Sequence, residues 1–122
     1  MGKSLKVLIF DSCPPQNLAI EKFLNYLGCY GVAPIFSLDE FRSFVDFSRT
    51  HFNLLILNSH MLGDFEELEF AYNHSRNMSN VLIYNHVETC FSYSKTHLFA
   101  TFSGFPEVAF LGCVLTLIES RG

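Results

Sequence analysis

Residues 51–61 read HFNLLILNSHM, and the four apolar residues at their centre, Leu54, Leu55, Ile56 and Leu57, decide the fold. A run that short, branched and wholly apolar is a strand buried on both faces, as the middle of a parallel sheet requires. The polar pair Asn58–Ser59 ends it. Two other runs stop in the same manner: Lys6–Phe10 (KVLIF) at Asp11–Ser12, and Val81–Tyr84 (VLIY) at Asn85–His86. In an open α/β sheet, ligands and chemistry sit outside the carboxyl ends of the strands. Asp11, Asn58 and Asn85 are therefore aimed at one crevice.

Bulk properties narrow the classes of function. The 122 residues suit one domain, and 49% hydrophobic content with 14 Phe excludes a disordered chain. A net charge of −4 with no Lys/Arg cluster argues against direct nucleic-acid binding, which needs a basic surface. Cys13, Cys29, Cys90 and Cys113 are widely spaced, with no CxxC or Cys-His metal pattern. They read as ordinary thiols of a reducing compartment. The N-terminal segment turns polar at Asp11, so no signal peptide is expected. Val108–Ile118 is too short to span a bilayer. The expectation is a cytoplasmic domain without a membrane partner.

Outward from the central run, the chain alternates strands and helices. Val7–Phe10 is the first strand, and Pro15 suits the opening turn of a helix over about 16–27 with Ala19, Ile20, Phe23, Leu24 and Leu27 on one face. Gly28 stands where a left-handed cap ends that helix. Gly31–Phe36 contains Pro34, which belongs on a sheet edge. Ser37–Glu40 is a capping box, opening a helix with Phe41, Phe44 and Val45 inward. After the central strand come a loop with Gly63 and a third helix at about Phe65–Asn73, with Leu68, Ala71 and Tyr72 inward. Val81–Tyr84 is the fourth strand, Val87–Lys95 a weak helix, Leu98–Phe102 the fifth strand, and Pro106 opens the last helix. This (βα)5 pattern predicts an α/β flavodoxin-like fold. Its five-stranded parallel sheet has the order 2-1-3-4-5, with helices on both faces.

At this point the sequence resembles the receiver domains of two-component response regulators over nearly its whole length. VLIFDS, LLILNSHM, VLIYN and the Phe105–Pro106 pair carry the resemblance. It implies a Mg²⁺-binding acidic pair after the first strand, and here Asp11 is followed by Ser12. It implies an aspartate phosphoacceptor where this chain has Asn58, and a Ser or Thr where it has Asn85. A lysine is implied at Phe105, and no lysine lies anywhere in Phe99–Pro106. An amide is a poor nucleophile and cannot form an acyl phosphate. One carboxylate with a hydroxyl and an amide is too little charge to dehydrate Mg²⁺. With Phe105 in place of lysine, nothing cationic neutralises a phosphoryl group. The expectation is a degenerate receiver without enzymatic activity, metal or cofactor.

What remains is protein interaction or ligand binding. Phe91, Tyr93, Phe99, Phe102, Phe105 and Phe110 crowd the expected fourth helix, fifth strand and fifth helix. The resemblance marks that face as a partner or homodimer surface, and surplus aromatics suit interface anchors. A C-terminal output domain is a further expected partner. The alternative is a regulatory domain that binds a small polar ligand in the neutral crevice of Asp11, Asn58 and Asn85. His60 and His86 with Asp11 sketch a metal site, but their spacing is not a metal motif. An FMN carrier is disfavoured because SCPPQN, at residues 12–17, offers no phosphate cradle.

Overall fold

Successive strand residues point to opposite faces of a sheet, so an unbroken apolar strand needs a core on each side. In the computed structural model, which describes residues 5–47, 52–61 and 80–120, both cores are present. One gathers Val7, Ile9, Leu54, Ile56, Leu82, Tyr84 and Ala100 with apolar residues of the first and last helices. The other gathers Leu8, Phe10, Leu55, Leu57, Val81 and Ile83 with Phe41, Phe52 and Ile35. The central strand is buried along its entire length.

The elements are β1 (Lys6–Phe10), α1 (Pro14–Tyr26), β2 (Gly31–Ile35), α2 (Leu38–Phe47), β3 (Leu54–Asn58) with a 3-10 turn at Ser59–Met61, β4 (Asn80–Tyr84), β5 (Cys90–Tyr93), β6 (Leu98–Phe102) and α3 (Val108–Glu119). The sheet runs β2-β1-β3-β4-β6-β5. Its five parallel strands follow the expected 2-1-3-4-5 order, with β6 in the fifth place. Pro34 lies in the edge strand β2, as its missing N–H demands. The Asp11 amide donates to the Ile35 carbonyl at 3.1 Å, so the backbone of Ile35 faces β1 and that of Pro34 faces away.

One expectation is overturned. The helix foreseen over Val87–Lys95 is absent, and Cys90–Tyr93 forms instead a sixth strand, antiparallel to β6. Its cause is local chemistry. Cys90-Phe91-Ser92-Tyr93 alternates small polar with aromatic residues at a period of two, and Ser92, Ser94 and Thr96 are weak helix formers. Phe91 and Tyr93 fall opposite Ala100 and Leu98, on the face covered by α3. The turn is closed by the Ser94 amide donating to the His97 carbonyl at 2.8 Å and by the His97 amide donating to Ser94 Oγ at 3.1 Å.

Local signals fix the end of α1 and the start of α2. The α1 terminus is a Schellman arrangement: Cys29 N–H donates to the Leu24 carbonyl at 2.8 Å, and Gly28 N–H to that of Asn25 at 3.0 Å. Gly28 has φ +89°, a conformation that favours glycine. Ser37 caps α2 through its Oγ, which accepts from the Glu40 amide at 3.1 Å, while Glu40 accepts from Phe36 N–H at 2.7 Å. Phe41 is then buried and stacks on Phe10 with ring centroids 4.8 Å apart. The helix expected at Phe65–Asn73 lies outside the described residues, as do the side chains of Phe44 and Val45. Among the described residues no helix is long and apolar enough to cross a membrane.

Candidate functional site

Strands β1, β3 and β4 are adjacent and in register, with Phe10 beside Leu57 and Asn58 beside Tyr84. The residues that follow or close them therefore meet at one end of the sheet. Asp11 and Asn58 are both buried there, at 1% and 4% exposure. A carboxylate so buried needs hydrogen-bond donors in place of water. Three neutral groups supply them. The Tyr84 hydroxyl donates to Oδ2, Asn58 Nδ2 donates to the same oxygen at 3.2 Å, and the Cys13 amide donates to Oδ1 at 2.9 Å.

The network continues from Asn58. Its Nδ2 also reaches Gln16 Oε1 at 3.3 Å, and its Oδ1 accepts from the His60 amide at 3.0 Å and from Asn85 Nδ2 at 3.4 Å. Asn85 has φ +62°, which asparagine tolerates better than most residues. Its carbonyl accepts from Ser59 Oγ at 2.6 Å, and its amide donates to the Gly104 carbonyl at 2.8 Å. Below the site, the buried Asn17 Nδ2 donates to the carbonyls of Asp11 at 3.0 Å and Ile35 at 2.9 Å, tying β1, β2 and α1 together. Its Oδ1 is buried with no hydrogen-bond partner among the described residues.

Asp11, Asn58 and Asn85 are thus brought together, while Ser12 and Phe105 stand apart from the polar network. Ser12 is exposed, with its amide against Met61 Sδ at 3.3 Å. Phe105 packs edge-on against Tyr84, with ring centroids 5.7 Å apart, and against Phe23 at 6.3 Å. The aromatic pair covers one side of Asp11's phenol partner, in the place where the resemblance implied a cation. Burial above all, then the hydrogen bond to Asp11 and the charge of that carboxylate, push the pKa of the Tyr84 phenol far up. The phenol stays protonated and remains a donor. Tyr84, Gln16 and Asn17 were not foreseen as parts of the site. The signal available for Tyr84 was a phenol closing an otherwise aliphatic strand.

Both oxygens of Asp11 and both polar atoms of Asn58 are engaged within the chain. Among the described residues no three His, Cys, Asp or Glu side chains come together as metal ligands do, so Asp11, His60 and His86 make no such group. His86 Nδ1 instead lies against the local backbone of Glu88.

The aromatics of the expected partner face are divided between the two sides of the sheet. Phe91 and Phe102 pack on Phe110 of α3, at 5.8 and 4.1 Å between centroids, and the Tyr93 hydroxyl donates to the Leu117 carbonyl at 2.9 Å. Phe99 packs against the opposite core. Since β5 replaces the fourth helix, the surface foreseen there is a hairpin with α3.

Sheet order, register and connections define an α/β domain of the receiver-like, flavodoxin-type class. No protein-family model matches the sequence, and no curated protein matches it. The chain is similar in structure to a response regulator receiver domain protein from Bacillus halodurans C-125, with a TM-score of 0.64 over 97% of each chain at 20% identity. At that identity the likeness is one of fold.

Proposed function

We propose that this domain is a receiver-like module that works without phosphorylation, as a protein-interaction element in bacterial signal transduction. One observation carries the reading. The Asp11 carboxylate accepts hydrogen bonds on both oxygens from Tyr84, Asn58 and Cys13, all neutral donors from its own chain. In a switching receiver, charge in the crevice biases a two-state surface. Here hydrogen bonds between neutral groups and a single carboxylate hold one arrangement, and no acyl phosphate can form on Asn58. The domain's role then lies in its surface, where Phe91 and Tyr93 are each 44% exposed on the hairpin beside α3. Its occupant is a protein partner or a second copy, and its effect passes to an output domain or partner protein. These internal bonds disfavour a small polar ligand in the crevice, because such a ligand would have to compete with them.

Beryllofluoride with Mg²⁺, which mimics the phosphoryl group on an aspartate, provides the test. The amide NMR spectrum is expected to stay unchanged. Shifts centred on Asp11, Asn58 and Asn85 at stoichiometric beryllofluoride would overturn the reading.

A further inference from the structure

The two edges of this sheet are treated differently. On β2, Pro34 turns its ring outward where an N–H would otherwise be offered. At the other end of the strand order stands β5, and Cys90–Tyr93 carries no proline, glycine or charge that would discourage pairing. All four of its residues are exposed. Because Ser94 N–H donates to His97 in the β6 direction, alternation turns the backbones of Ser92 and Cys90 toward β6 and that of Phe91 away from it. The Phe91 N–H and C=O thus form a ready donor–acceptor pair on the outer edge.

We infer that β5 pairs antiparallel with β5 of a second copy, with Phe91 opposite Phe91 on a two-fold axis. Three features point to a copy of this chain as the occupant. Opposite charges bracket the uncharged strand, Glu88 before it and Lys95 after it, both exposed. An antiparallel partner with Phe91 on the axis sets each Glu88 opposite the other chain's Ser94, one residue from its Lys95, so opposite charges meet at each end of the ladder, whereas a parallel partner would set like charges together. Second, outward backbones recur at every other residue, so a symmetric ladder must place its axis on a residue. An axis on Phe91 exchanges both of its outward hydrogen bonds with its twin. It also sets the exposed halves of the two rings side by side, next to Phe110. Third, with one edge blocked by Pro34, self-pairing closes after two copies and does not grow into a filament.

This inference rests on the reading of the domain as an interaction module, but it fails separately. Losing the dimer leaves the beryllofluoride result untouched. Sedimentation velocity of the whole chain is expected to show a dimer, and Phe91→Lys, which sets two ammonium groups face to face on the axis, should weaken it roughly tenfold or more. A wild type that stays monomeric at high concentration overturns the inference, and so does a Phe91→Lys dimer of unchanged affinity. Because Phe91 also packs on Phe110, a second variant keeps the ring. On the inferred axis Ser92 lies opposite the partner's Cys90, so Ser92→Cys in a Cys113→Ser background should oxidise to a covalent dimer. Peptide mapping should find that dimer joined Cys90 to position 92. Cross-links joining position 92 to itself, or no cross-link in a folded dimer, would refute the register.

Discussion

Replacing Asn58 by aspartate restores the residue type that the resemblance implied, and the structure says it should be harmful. Asn58 Nδ2 stands 3.2 Å from Asp11 Oδ2, and in Asn58→Asp an oxygen takes that place. A hydrogen bond to a charged acceptor is lost, worth about 1.5–3 kcal/mol. Two carboxylates about 4 Å apart at an effective dielectric constant of about 20 repel by about 4 kcal/mol more. The chain can escape the repulsion by binding a proton, which from an ordinary aspartate near pH 4 also costs about 4 kcal/mol at pH 7. The destabilisation at pH 7 is therefore about 4 kcal/mol or somewhat above.

The sign of the pH dependence follows. In the variant the folded-state pKa of the pair is raised above its unfolded value, so stability is retained at low pH and lost as pH rises. Relative to wild type, Asn58→Asp should recover about 1.4 kcal/mol for each pH unit between 7 and 5. Urea unfolding at the two pH values reads this directly. A loss below about 1 kcal/mol at both, with no slope between them, would refute the claim that Asp11 is a buried carboxylate held by Asn58.

Two further outcomes follow from the same network. Tyr84→Phe removes the hydroxyl that donates to Asp11 and should cost about 1.5–3 kcal/mol near neutral pH. The phenol's pKa is raised on folding, so the stability it confers is present below about pH 10 and lost above it as the unfolded tyrosine ionises. The alkaline fall should therefore be shallower in Tyr84→Phe, and chemical denaturation from pH 8 to 11 checks it. Asn17→Ala leaves the carbonyls of Asp11 and Ile35 without their shared donor and should lower stability by about 1–3 kcal/mol, measured by thermal melting.

The sheet was legible because its signals are local and redundant. Three buried strands announce themselves as apolar runs ended by polar pairs, and Pro34 locates one edge. The crevice members Asp11, Asn58 and Asn85 followed from those endings. Tyr84 did not, because in VLIY it reads as one more core residue, and only the register of β4 beside Asn58 puts its hydroxyl on Asp11. The hairpin was missed for a different reason. Cys90–Tyr93 is four residues long, too short for its alternation to outweigh the strand-helix alternation read along the rest of the chain, and its strand pairing depends on the non-local partner β6. The division of Phe91 and Phe99 between opposite faces follows from that same pairing.

The most direct measurement is intact mass after incubation with acetyl phosphate and Mg²⁺. If Asn58 and the buried, hydrogen-bonded Asp11 leave no phosphoacceptor, the protein mass is unchanged at every time point. A stoichiometric increase of one phosphoryl group, lost on exposure to base or hydroxylamine as an acyl phosphate would be, would contradict the reading.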